Sequence, residues 1–185
     1  MNQPYIKFAK LNPKAIIPSK KAGNSGYDVY ACIEHDYYIS PHTTRLIPTG
    51  IASEIALGWT FLLEERGSTG SKGIKRSAGV IDSNYRGEWF VALTNANEKT
   101  LIISVNPEKT KQYLLNVRAK KAKQKFGDKF DFERWLNRYY IIYPANKAIA
   151  QALFVFTPHV DPSEVSYEEL SKTDRGGGKL GSSGK

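Results

Sequence analysis

For roughly its first hundred residues the chain is a succession of short β-branched and aromatic runs, each cut off by Gly, Pro, Asn, Asp or Ser. Val29-Tyr30-Ala31-Cys32-Ile33 leads to Asp36-Tyr37-Tyr38-Ile39, then Thr44 to Ala52 around Pro48 and Gly50. Trp59 to Leu63 follows Gly58, Glu88 to Thr94 follows Gly87, and Thr100 to Ser104 and Ala150 to Phe156 complete the set. Runs this short cannot make stable helices, but they suit strands that bury one face. The spacing predicts an all-β fold of the sandwich or barrel type.

One segment breaks the rhythm. Lys109 to Lys125 is rich in Lys, Ala, Leu and Gln, which favour helix. Further on, Phe132, Trp135, Leu136 and Tyr139 fall on one helical face, with Asp131 placed to start that helix. A mainly helical insertion over 106–147 is therefore expected, with a short helical turn between Ser163 and Ser171. The insertion holds 11 of the 27 Lys and Arg but only 4 of the 18 Asp and Glu, so most of the net charge of +9 resides there. It reads either as a surface for a protein or nucleic-acid partner or as a solvated elaboration.

At 185 residues and 41% hydrophobic, the chain suits a single domain with a real core, 1–185. No apolar run approaches a membrane span, and Met1 to Lys7 lacks a signal-peptide core. Cys32 is the lone cysteine, and His35, His42 and His159 are scattered. These features point to a cytoplasmic protein and against a zinc centre or a serine–histidine site.

Several small-residue turns sit beside charged side chains. Ala22 to Asp28 opens a strand, and Glu65-Arg66-Gly67-Ser68-Thr69-Gly70-Ser71-Lys72-Gly73 closes one. Each reads as a plain hairpin turn or as a phosphate-facing loop; neither has P-loop spacing. Gly79-Val80-Ile81-Asp82-Ser83-Asn84-Tyr85-Arg86-Gly87-Glu88 is sharper, placing an acid after an apolar strand. Asp82 is either a general base or a turn cap. The end of the chain, 174–185, is Gly- and Ser-rich with Arg175 at its base, and reads as a flexible arm that holds an anion or as a frayed terminus.

Taken together and in order, these segments resemble the five motifs of the trimeric dUTP pyrophosphatase (dUTPase) family. They are Ser25-Gly26-Tyr27-Asp28-Val29, Arg66 to Gly73, Gly79 to Glu88, Ala148-Ile149-Ala150-Gln151-Ala152, and Arg175 to Gly184. The resemblance implies a jelly-roll-like β-barrel and a homotrimer whose active sites are shared between subunits and closed by the arm. It implies hydrolysis of dUTP to dUMP and pyrophosphate by water attack on the α-phosphorus, with Mg²⁺ held through substrate phosphates and water rather than by direct protein ligands. Asp82 matches the base. Tyr85 matches the residue that packs on deoxyribose and excludes a 2′-hydroxyl, and the backbone of Gly79, Val80 and Ile81 would read the uracil edge. Arg66, Gly67, Ser68, Gln151, Arg175, Lys179 and Leu180 fall in substrate-contacting motifs, and Asp28 is expected to act structurally or through water.

The sequence departs from the family pattern at four points. Gly67 stands in place of a serine, Ala148 in place of an arginine, Lys179 in place of a glycine, and Leu180 in place of a stacking phenylalanine. Two other functions compete. A regulatory or binding protein on the same fold would act through the basic insertion. The related dCTP deaminases need a glutamate on the strand after the third motif, where this chain reads Phe90 to Asn95 with no acid.

Overall fold

The structure is a computed structural model, describing residues 4–174 and 176–177. Its strands are β1 (Ile6–Lys10), β2 (Gly26–Val29), β3 (Tyr37–Ile39), β4 (Thr44–Pro48), β5 (Ile51–Ile55), β6 (Trp59–Glu64), β7 (Ile74–Arg76), β8 (Val80–Ile81), β9 (Phe90–Asn95), β10 (Thr100–Ser104), β11 (Tyr140–Pro144) and β12 (Ala150–Phe156). The helices are the single turn α1 (Gly67–Gly70), then α2 (Pro107–Tyr113), α3 (Lys120–Phe126) and α4 (Phe132–Tyr139). A π-helical turn, Leu114–Arg118, joins α2 to α3.

The strands form four small sheets, ordered β1-β5, β11-β10-β3, β2-β12-β6-β8 and β4-β9-β7. The chain is thus mostly β, but the β-barrel that the resemblance implies is not formed: among the described residues the strands divide into four small sheets, and none closes on itself. The sheets share one core. Phe61 is fully buried at its centre, with ring centroids 5.9 Å from Phe8, 5.0 Å from Trp89, 5.1 Å from Phe154 and 5.8 Å from Tyr27.

Two further sequence expectations shift. The run Val29 to Ile33 is not a strand: β2 stops at Val29, and the Cys32 N–H instead donates to the Pro48 carbonyl at 2.8 Å. The run Thr44 to Ala52 is broken at Gly50, where the chain leaves the β9 neighbour of β4 for the β1 neighbour of β5. Gly50 has φ +66°, and a Cβ there would lie 2.9 Å from both Ala15 Cβ and Cys32 Sγ, so only glycine makes this crossing without strain.

The helical segment is a crossover. β10 and β11 run parallel, Thr100 opposite Tyr140 and Ser104 opposite Pro144, and parallel neighbours require a long connection. Asn106 caps α2 by accepting from Lys109 N–H at 3.1 Å, with Pro107 in the first turn, and Asp131 caps α4 by accepting from Arg134 N–H at 2.9 Å. Strand β10 is buried on both faces. Leu101 and Ile103 join the main core, while Ile102 meets Leu114 and Leu136 in a second cluster flanked by Phe132, Trp135, Tyr140 and Ile142. The apolar face of α4 read from the sequence is what covers this strand. No helix among the described residues is long and apolar enough to cross a membrane. Beyond β12, a 3₁₀ turn at Tyr167–Glu169 is closed by the Glu169 carboxylate, which accepts from the Ser166 N–H at 3.2 Å and its hydroxyl at 2.9 Å.

Because Leu136 is nearly fully buried in a small cluster, Leu136→Ala should destabilise the protein by about 2–4 kcal/mol in denaturant titration. A change below about 0.5 kcal/mol would mean that the helices do not seal β10.

Candidate functional site

The segment Gly79 to Glu88 shows why its residue types are fixed. A Cβ on Gly79 would lie 2.5 Å from Leu63 Cβ, so glycine is needed for β8 to reach β6. Leu63 N–H donates to the Gly79 carbonyl at 2.7 Å, and Ile81 is buried opposite Phe61. By the alternation of an antiparallel ladder, the Val80 amide and carbonyl then face outward along the open edge of β8. The Gly79 and Ile81 carbonyls are already engaged, the latter by the Thr60 hydroxyl at 2.8 Å.

The turn that follows is closed by Tyr85 N–H donating to the Asp82 carbonyl at 3.1 Å. It is the Asp82 main chain that makes this bond; its exposed carboxylate accepts no hydrogen bond from the described residues. Tyr85 lies over Gly87, where a Cβ would come within 2.5 Å of the phenol oxygen, and its hydroxyl donates to the Glu88 carbonyl at 2.8 Å. Glu88 in turn accepts from Gly50 N–H at 2.7 Å, and the neighbouring Trp89 is fully buried. The turn is therefore anchored at both ends. Beside it lies a cleft of about 240 Å³ with Asp82 and Tyr85 at its rim and a largely apolar lining that includes Leu46, Val80, Ile81 and Phe90.

A second, polar cleft of about 560 Å³ gathers the other motifs: Ser25, Gly26 and Asp28 from the start of β2, Arg66, Gly67 and Ser68 from α1, and Gln151 from β12. Strand β12 runs between β2 and β6, so Gln151 stands opposite both Asp28 and Glu64. Arg66 Nε lies 2.8 Å from Asp28 Oδ1, and another guanidinium N–H reaches Ser68 Oγ at 3.3 Å. The carboxylate of Asp28 thus holds the guanidinium in place. The first two N–H groups of α1, from Gly67 and Ser68, have no backbone partner among the described residues and are free to meet an anion. Gln151 donates one amide hydrogen to the Glu65 carbonyl at 2.8 Å.

Three residues support the site through contacts that the sequence alone does not show. Gly26 matters for space, since a Cβ there would lie 2.6 Å from Gln151 Oε1. Glu65 ties the site together: its carboxylate accepts from Arg76 N–H at 3.0 Å while its carbonyl holds Gln151. Tyr143 is buried beside Arg66 and Ser68, with its hydroxyl donating to the Ala148 carbonyl at 2.8 Å, and burial pushes its phenol upward. A tyrosine in an apolar run carries no sequence signal for this role. At Gly67 no atom lies within 4 Å of where a Cβ would stand, so the serine usual in the family would fit. Arg175, Lys179 and Leu180 lie outside the described residues.

The apolar cleft and the polar cleft share no lining residue. One cleft sets an acid beside a largely apolar lining, and the other gathers an arginine, a serine and an amide.

Comparison with known proteins shows the family. The dUTPase family model matches residues 12–114. A deoxyuridine 5'-triphosphate nucleotidohydrolase from Nautilia profundicola is 30% identical over 184 residues, covering 97% of this chain and 99% of the relative. The chain therefore belongs to the dUTPase family. Among solved structures, a mutant Staphylococcus bacteriophage 80alpha dUTPase with dUpNHpp superposes with a TM-score of 0.66 at 18% identity, covering 97% of this chain and 98% of that one. A dUTPase from phage phi11 of S. aureus, described with a structural Mg(II) ion, gives 0.60 at 18% identity, covering 90% and 99%. At that identity the likeness speaks for the fold.

Two outcomes test the site's construction. Gly26→Ala should cost about 1–3 kcal/mol through overpacking against Gln151, whereas Gly67→Ser should leave thermal stability unchanged. The Arg76 N–H holds the Glu65 carboxyl below its ordinary value. Its contribution is therefore complete above the ordinary glutamate pKa and is lost as pH falls from there through the lowered folded value. Glu65→Gln should flatten that part of the acid-stability profile; an unchanged profile would show that the bond contributes nothing.

Proposed function

We propose that the chain hydrolyses dUTP to dUMP and pyrophosphate, with Asp82 priming the water that attacks the α-phosphorus. The observation that carries this reading is the Asp82 carboxylate, free of partners among the described residues and poised at the rim of an apolar slot beside Tyr85. Such a carboxylate can accept a proton from water without first breaking an internal bond. Family membership and the names of the relatives support the same reaction. The activity would keep uracil out of DNA and supply dUMP for dTMP synthesis.

In this reading the outward amide and carbonyl of Val80 pair with the uracil edge. A base of the wrong pattern would leave these groups desolvated and unpaired, which penalises it strongly. The Tyr85 ring, locked over Gly87, would pack on the deoxyribose and leave no room for a 2′-hydroxyl. Arg66, Ser68 and Gln151, with the free N–H groups of Gly67 and Ser68, would hold the phosphates and stabilise charge on the departing pyrophosphate. Asp28 pre-orients Arg66, so little rearrangement accompanies binding.

Magnesium fits this donor set as an ion carried by the substrate. Asp28 is the carboxylate lining the polar cleft that would meet its water shell. When bound, the ion would neutralise phosphate charge. Arg175, Lys179 and Leu180 would close over the nucleotide.

The two clefts of one chain have no lining in common, so we take the working site to be shared between copies in a homotrimer, with the four sheets in a jelly-roll-like arrangement. Asp82→Asn should lower kcat on dUTP by about 10²–10⁴-fold while the fold is kept. A mixture of Asp82→Asn and Arg66→Ala chains, unfolded and reassembled together, should regain activity that neither variant has alone. No recovery in verified mixed trimers would contradict a shared site.

A further inference from the structure

The dUTP site leaves the most highly charged part of the molecule unused. Helix α3 reads Lys120-Lys121-Ala122-Lys123-Gln124-Lys125-Phe126 and buries none of its residues. Among the described residues no ion pair reaches any of its four lysines. Lys121 and Lys125 stand four residues apart and Lys120 and Lys123 three, so like charges face each other along the helix and weaken it. A short helix that is polar all round and repels itself gains little from the fold that carries it. A polyanion along it would reverse the sign of that interaction.

A second observation extends the surface. At the base of the same segment is a cleft of about 540 Å³ lined by Tyr38, Tyr113, Lys109 and Arg118, with Arg118 two residues before α3. It also holds two acids, both tied to the fold. Asp36 accepts from Val105 N–H at 2.9 Å and from the Thr110 hydroxyl, and Glu34 pairs with Lys14 at 3.7 Å. With Lys109 and Arg118 balanced by these two acids, what the cleft adds to the charge of α3 is the Tyr38 and Tyr113 rings. Tyr113 is 45% exposed and Phe126, at the far end of α3, 55%.

We infer that α3 and the adjoining Tyr38–Tyr113 cleft form a binding surface for single-stranded nucleic acid. The lysines neutralise successive phosphates as point charges, without base readout, and the exposed rings of Tyr113 and Phe126 offer faces on which unpaired bases stack. A duplex, whose bases are already stacked, would use the charges but not the rings. An acidic protein would need neither regular phosphate spacing nor exposed aromatic faces. This surface shares no residue with either half of the dUTP site, so its failure would leave the hydrolase reading standing.

The test is fluorescence anisotropy of the full chain with a labelled single strand of roughly 20 deoxynucleotides and with the matching duplex, over a salt series. Engagement of four or more phosphates by the wild type should give a log–log salt slope of about −3 or steeper. Lys121→Gln, Lys123→Gln and Lys125→Gln combined should weaken binding at least about 10-fold and flatten the slope by about 2. With the repulsion relieved, the same variant should be at least as thermally stable as wild type and equally active on dUTP, which separates lost binding from lost folding. Tyr113→Ala should weaken the single strand at unchanged slope. The inference is overturned if wild type does not bind at low salt or if the triple variant binds equally well. It is also overturned if duplex or polyglutamate competes as strongly as the single strand with Tyr113→Ala indistinguishable from wild type.

Discussion

The register of β12 is the constraint from which the polar half of the site follows. That strand is paired on both sides, Gln151 standing opposite Asp28 on β2 and Glu64 on β6. Successive residues of a strand point to opposite faces, so a slip of one position would turn Gln151 into the core and Ala152 out of it. Ala150 and Ala152 are fully buried, which leaves the strand one acceptable register. Once it is set, β2 delivers Asp28, the end of β6 delivers Arg66, and the ion pair between them fixes the guanidinium. Glu65 and Gly26 serve the same arrangement, one by a hydrogen bond and one by the absence of a side chain.

The other half is organised by opposite means. The polar cleft is crowded with internal hydrogen bonds, whereas the Asp82 carboxylate is left without any among the described residues. A charge-stabilising group works best when already held in place, and a base works best when its lone pairs are uncommitted. Rigidity around Asp82 comes from its neighbours: Gly79 against Leu63, Tyr85 against Gly87, and Glu88 on Gly50.

Much of this was legible in the chain. The run Gly79 to Glu88 combines an obligatory glycine contact, a buried isoleucine, an open acid and an anchored tyrosine, so nearly every position is constrained and the sequence signal is dense. The helical face of Phe132, Trp135, Leu136 and Tyr139 announced itself by period. Its covering of β10 did not, because which strand a helix packs on is decided by topology rather than by local pattern. The break at Gly50 looked like the interior of one strand, since the sheet change there is forced by contacts with Ala15 and Cys32, distant in sequence. Tyr143 and Glu65 were invisible for the same reason: their importance lies in partners brought together only by folding.

The central claim is that water, primed at Asp82, attacks the α-phosphorus of dUTP. Hydrolysis in ¹⁸O-labelled water, with the products separated and weighed by mass spectrometry, tests it most directly. The account predicts a single ¹⁸O in dUMP and none in pyrophosphate. Label found in pyrophosphate would place the attack on the β-phosphorus and contradict the assignment of the site.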